Sequence, residues 1–324
     1  MTDAPGAKRR RTDADADAEP QAPPLVRSTE YWFDDGNIIL QVESTQFRVA
    51  KSVLSRHSSV FRDMFALPLP ADEPTVEGCP VVVLPGDTAQ DWKLFLGVLY
   101  PKTYSTKLPT IGLITAMLRL SKKYDFPLLR EECVRRMKQE FPTTLKKVLS
   151  KRPSFQQEGN MALGLVSLAR ETGLHSVLPQ LYYSIVSGQG LHMHAVLDSN
   201  DTTLSTPDRV ACLTGAIKLL ELQSTTTLSW LDFKVKPPHI PSETCTRHDK
   251  CAEGAKAIFL DIANPRPAYR MFGSWNEQWD THLCGSCRGK AKQIYNAGRE
   301  TCWKQLPAAF GLPDWEELKA LDFE

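Results

Sequence analysis

Residues 31–65 read YWFDDGNIILQVESTQFRVAKSVLSRHSSVFRDMF, and this stretch decides the architecture of the first part of the chain. Ile38, Leu40 and Val42 alternate with Ile39, Gln41 and Glu43, the period of a half-buried strand. Glu43, Ser44, Thr45 and Gln46 supply a polar turn, and Phe47 with Val49 resumes the alternation. The period then changes. Leu54, Phe61 and Met64 or Phe65 recur at helical spacing, with Ser58 placed to cap a second short helix. A strand pair feeding a helical hairpin predicts an interaction scaffold with no obvious room for a catalyst.

Working outward, Leu67 to Pro80 reads as a Pro-rich loop. Val81 to Leu84, bounded by Pro80 and Pro85, predicts a third strand. Asp87 or Thr88 is expected to cap a helix carrying Trp92, Phe95, Leu96 and Leu99, and Asp87 with Gln90 has capping-box spacing. Further helices are expected from about Thr110, burying Ile111, Ile114, Met117 and Leu118, and from Pro127, carrying Leu128, Leu129, Cys133, Val134 and Met137.

With these landmarks in order, residues 29–142 resemble a BTB/POZ domain. The resemblance rests on Phe47, Ala50-Lys51, Val53-Leu54, Ser58 and Phe61 through Met64-Phe65 after a strand hairpin. It extends to Leu120 through Phe126, followed by Leu129 and Cys133, which is similar to the closing helical pair of that family. It implies an α+β BTB/POZ fold, a small sheet with helical hairpins, followed by a mostly α-helical C-terminal region. It also implies a non-enzymatic protein–protein interaction module that binds itself as a homodimer or recruits another protein. A narrower implication is a substrate adaptor for a cullin-type ubiquitin ligase, with a cullin scaffold as partner. The loop Leu67 to Pro80 lacks a convincing apolar-x-Glu anchor of the kind cullin-binding members use. Two positions depart from the family. Ala50 stands where members commonly place His, and Asn37 where many place Asp. Both changes bear on the buried charged pair that some transcriptional members use as a partner pocket. Neither touches the apolar pattern.

Residues 1–28 are rich in Ala, Asp, Pro and Arg and are expected to be a disordered tail. Within them Lys8, Arg9, Arg10 and Arg11 form a compact basic block, read as a nuclear-import candidate against the alternative of solvated charge. Residues 143–236 read as a helical extension. Its helices carry Met161 to Leu168, Val177 to Ile185, and a run opened by Thr206-Pro207-Asp208 with Val210, Leu213, Ile217 and Leu220. Pro237, Pro238 and Pro241 mark a linker. Residues 237–324 form a Cys-containing region with one helix from about Gly285 to Leu306. Its tail, Phe310 to Leu318, resembles the C-terminal segment of a fungal branch of BTB proteins.

Bulk properties narrow the function classes. Of 324 residues, 42% are hydrophobic and 24% charged, ordinary values for a soluble globular protein. A formal net charge of +1 gives no global field toward nucleic acid or an anionic membrane, and neither is expected as a partner. No apolar stretch reaches the roughly 18 residues of a membrane span. The first residues lack the apolar core of a signal peptide, so nucleus or cytoplasm is expected. There is no Gly-x-Ser-x-Gly, phosphate loop or dinucleotide fingerprint. Asp34-Asp35 reads as turn and capping residues, and His192 with His194 as ordinary polar histidines.

The one chemical constellation above background is a group of cysteines. Five of eight fall after residue 244. Cys245 and Cys251 are followed, after a helix-sized insertion, by Cys284-Gly285-Ser286-Cys287. The second pair has the spacing at which two thiolates grip one tetrahedral ion, so a structural Zn2+ held by Cys245, Cys251, Cys284 and Cys287 is expected. His248 or His282 would substitute for one cysteine. The alternative is a set of reduced, partly buried thiols. A catalytic metal site in this region would need an open coordination position and a nearby base, which four thiolates do not leave. No other cofactor is expected.

Overall fold

The structure is a computed structural model that describes residues 24–68, 74–102, 107–150, 152–156, 161–187, 194, 196–198, 203–263 and 271–323. The basic block Lys8 to Arg11, His192 and part of the Pro-rich loop lie outside the described residues. Five strands form one sheet: β1 (Val26–Trp32), β2 (Ile38–Val42), β3 (Thr45–Val49), β4 (Thr75–Val76) and β5 (Cys79–Val83), in the order β1-β3-β2-β5-β4. β2 and β3 are the expected hairpin, with Ile38 opposite Val49 and Val42 opposite Thr45. The turn is tighter than the polar run suggested. Glu43, in the left-handed region at φ 51°, and Ser44 make it alone, and Thr45 already pairs.

β1 corrects the boundary of the tail. Val26 sits beside Thr45 in a parallel pairing with β3, and its N–H donates to Ser44 O at 2.7 Å. The sheet therefore begins inside the stretch assigned to disorder. β4 likewise falls within the stretch read as loop.

Ile38, Leu40 and Val42 face the main core, while Ile39 is buried on the other side of the sheet with Cys79 and Val81. β2 is thus covered on both faces. Helices α1 (Lys51–His57) and α2 (Ser59–Ala66) form the first helical hairpin. Ser58 Oγ accepts from Phe61 N at 3.0 Å and caps α2. α3 (Ala89–Leu99), α4 (Ile111–Lys123) and α5 (Pro127–Glu140) complete the layer. Phe61 is fully buried, its ring 4.9 Å from Tyr124 and 5.9 Å from Trp92. The cap of α3 is Thr88, which accepts from Asp91 N at 3.1 Å. Asp87 makes no capping box. It is buried and accepts from Trp92 Nε1 at 2.8 Å, Tyr124 OH at 2.5 Å and Lys123 Nζ at 2.5 Å. A buried carboxylate is satisfied only by converging donors, and these outcompete a local turn.

Beyond residue 142 come α6 (Leu145–Ser150), α7 (Met161–Thr172), α8 (Leu178–Ser187) and α9 (Thr206–Thr225). Their apolar faces join the first core instead of forming a second one. α7 docks on α4, where Arg119 reaches Glu171 at 2.8 and 3.0 Å and Asp91 at 2.9 Å. On α9, Val210, Ile217 and Leu220 point to solvent, although the apolar periodicity grouped them with the packed residues.

Residues 237–324, expected as a region of their own, divide between two cores. α10 (His248–Ala263) and the first half of α11 (Gly285–Ala309) pack with Trp230, Leu231 and Ile240 in a small separate cluster. The second half of α11 and α12 (Trp315–Ala320) return to the main core, where Trp303 and Trp315 stack at 5.1 Å. The Pro-rich linker is consequently anchored by Ile240, only 3% exposed.

Candidate functional site

Two places carry candidate function. The first is the junction between the β2–β3 hairpin and α1. Asn37, at the mouth of the hairpin, accepts from Lys51 N at 2.8 Å through its Oδ1. Ala50 N donates to Tyr100 OH at 3.2 Å. These two bonds satisfy N–H groups at the start of α1 that have no partner within the helix. Arg48 fixes the loop before β2, donating to Gly36 O and Asp34 O at 2.9 Å each and to Glu77 at 3.2 Å. Gly36 is required there, because a Cβ would lie 2.8 Å from Arg48 Cγ and 2.9 Å from Phe33 O. Asp34 and Asp35 are exposed turn residues.

The second place is the cysteine group. The Sγ atoms of Cys245, Cys251, Cys284 and Cys287 all lie within 4.8 Å of one another, and all four residues are buried. Three local structures bring them there. Cys245 sits in the loop after Ile240, Cys251 in the first turn of α10, and Cys284 with Cys287 at the start of α11. Backbone N–H groups point at the sulfurs: Arg247 N to Cys245 at 3.4 Å, Cys284 N to Cys251 at 3.3 Å, and Ser242 N to Cys287 at 3.3 Å. Gly254, one turn into α10, lets the His282–Cys284 backbone come close; a Cβ there would be 2.3 Å from His282 O. Neither Gly254 nor Ser242 is signalled by sequence spacing. His248 and His282 are exposed and lie outside the cluster.

Burial pushes the Cys245 thiol up to about 12 and also raises Cys251. Cys284 runs the other way, held down to about 6 by the backbone N–H of Cys287 at the start of α11. Four bare thiolates in one buried pocket would repel each other, so the cluster either stays largely protonated or surrounds a cation. Both states are compatible with the geometry: Cys245 and Cys284 are 3.7 Å apart, a thiol–thiol hydrogen-bond distance and close to the about 3.8 Å between sulfurs held about 2.3 Å from a tetrahedral centre.

Comparison with protein families bears on the first place. The family model described as BTB/POZ domain matches residues 33–140. The chain carries a BTB/POZ domain. No curated protein matches the chain. The matched span contains β2 through α5, so the hairpin, the α1–α2 pair and the α4–α5 pair all belong to the BTB/POZ domain. A BTB/POZ domain is a protein–protein interaction module and typically has no catalytic activity of its own. In this one, the junction at Asn37 and Lys51 is made by a neutral amide accepting a backbone N–H, not by a carboxylate.

Proposed function

We propose that this protein is a non-enzymatic scaffold that associates with itself or recruits a partner protein through its BTB/POZ domain. The observation that supports this reading is the family match over a complete hairpin-plus-helices unit. Exposed Asp34 and Asp35 belong to a turn of that unit, its buried acid Asp87 is engaged by Lys123, and outside it the buried Asp208 on α9 is engaged by Arg170 and Tyr182. Sedimentation velocity of the purified chain, with affinity capture from an extract, tests the reading. A concentration-dependent dimer or a recovered partner is expected. A monomer that captures nothing would count against it, and a recovered cullin would select the adaptor form.

Within the same proposal the four cysteines hold one structural Zn2+. Thiolates suit this ion, the site is closed, and no coordination position remains for substrate. The ion would supply folding free energy to a core of limited size. Metal analysis of protein purified without added zinc should find close to one zinc per chain. Replacing Cys284 and Cys287 by Ser should abolish it, and metal-free wild-type protein would reject the site.

A further inference from the structure

The four sulfurs share one pocket but not one setting. Cys245 and Cys284 are each 8% exposed, whereas Cys251 and Cys287 are fully buried. Cys251 and Cys287 lie within α10 and α11, where the helix fixes the backbone. Cys245 lies in a loop, and Cys284 is the extended residue just before α11. Gly285 beside it is exposed, and a Cβ there would meet nothing within 4 Å. The two cysteines nearest to water are also in contact, with their Sγ atoms 3.7 Å apart. To bond, these sulfurs need to approach by about 1.7 Å. A loop and a helix cap absorb such a shift without breaking a helical turn.

We propose that Cys245 and Cys284 are a peroxide-sensitive pair, whose closure to a disulfide releases the structural zinc ion. The release rests on the zinc reading above; the choice of these two sulfurs does not.

The chemistry balances with hydrogen peroxide as oxidant. A bound zinc ion keeps both sulfurs as thiolates, the nucleophilic form. Cys284, on the open side next to Gly285, attacks one peroxide oxygen. The O–O bond breaks, and the leaving hydroxide takes a solvent proton to become water. Cys245 then attacks the sulfenic sulfur of Cys284. The S–S bond forms, the S–O bond breaks, and a second hydroxide takes a proton and leaves as water. Two thiolates have given two electrons to the peroxide. Only Cys251 and Cys287 remain to the ion, half of a closed tetrahedral set, and it departs. The new bond still ties the Cys245 loop to the start of α11. Cys251 has lost its tie, so α10 is the element set free.

The test treats the full chain, as purified, with hydrogen peroxide. Fragment spectra of a non-reducing digest should show Cys245 linked to Cys284 and the other cysteines as free thiols. Cys79, Cys133, Cys212 and Cys302, buried outside this cluster, serve as internal references. A chromogenic chelator should detect about one zinc released per disulfide formed. Hydrogen exchange should rise across α10, and a thiol reductant with added zinc should reverse both changes. A link between any other two cysteines, oxidation spread over all of them, or no disulfide overturns the pair. A disulfide between Cys245 and Cys284 that leaves zinc bound overturns the release. A chain that carries no zinc before peroxide is added overturns the zinc reading and the release with it, while the disulfide map still decides the pair.

Discussion

Gly254 shows how one missing side chain can hold a site together. Its α-carbon faces the carbonyl of His282, a backbone atom that cannot rotate aside. Gly254→Ala gains helix propensity but forces α10 away from the segment that delivers Cys284, and the steric cost of about 1–3 kcal/mol is the larger effect. The expected result is an earlier denaturation midpoint followed by tryptophan fluorescence, since Trp230, Trp275 and Trp279 pack in that core. An unchanged midpoint would mean the backbone yields. Asp87 is the corresponding residue of the main core. Asp87→Ala strands Trp92 Nε1 and Tyr124 OH, each a donor worth about 1–3 kcal/mol when left unsatisfied. Urea unfolding should show the loss, and Asp87→Asn, which keeps an acceptor, should lose less. At this scale the sequence singled out, by their spacing, the four cysteines that the fold brings together. It could not reveal Gly254 or Ser242, whose roles are close approaches between segments far apart in the chain. Nor could spacing tell that His248 and His282 point outward.

Elements were legible where their signals are local. Ser58, Thr110 and Pro127 stand at the helix starts that their chemistry predicts, and the helix opened by Thr206-Pro207-Asp208 takes its cap from Ser205, one residue earlier. β1 was missed because VRSTEYW is largely polar and its partner strand lies across a parallel pairing that no short pattern encodes. In α9, apolar residues on two sides defeat any single periodicity. α11 is the element with the most divided role. It begins among the four sulfurs and ends beside Trp303 and Leu306 in the main core. If a zinc ion holds its start, chelation should release the two ends unequally. Hydrogen exchange should then rise in residues 285–295 while residues 302–309 keep their protection. Equal loss along the helix would show that the two cores melt as one.

For the molecule as a whole, the edge expected at residue 142 is a question of which surfaces pack across it. Glu140 is fully buried and accepts from Ser154 N at 2.9 Å, and Phe141 packs against Phe155 at 6.3 Å. A fragment ending at residue 142 removes both contacts and bares the face of α4 that α7 covers. It should therefore melt well below a fragment ending at residue 187, in parallel thermal scans. Similar melting temperatures would restore residue 142 as a true edge. Localisation is also a whole-chain property, and we propose that Lys8 to Arg11 direct nuclear import. Replacing the four by Ala should move a fluorescent fusion toward the cytoplasm, and an unchanged distribution would leave them as solvated charge. One last contact concerns time. Asp322 accepts from the N–H and hydroxyl of Ser176 at 2.9 and 2.8 Å and also pairs with Lys138 on α5 at 2.6 Å. Ser176 and Asp322 are 146 residues apart, so at about 5–20 residues per second a ribosome makes the second roughly seven to thirty seconds after the first. Throughout that interval α5 of the nascent BTB/POZ domain lacks this clamp, which only the last residues of the chain supply.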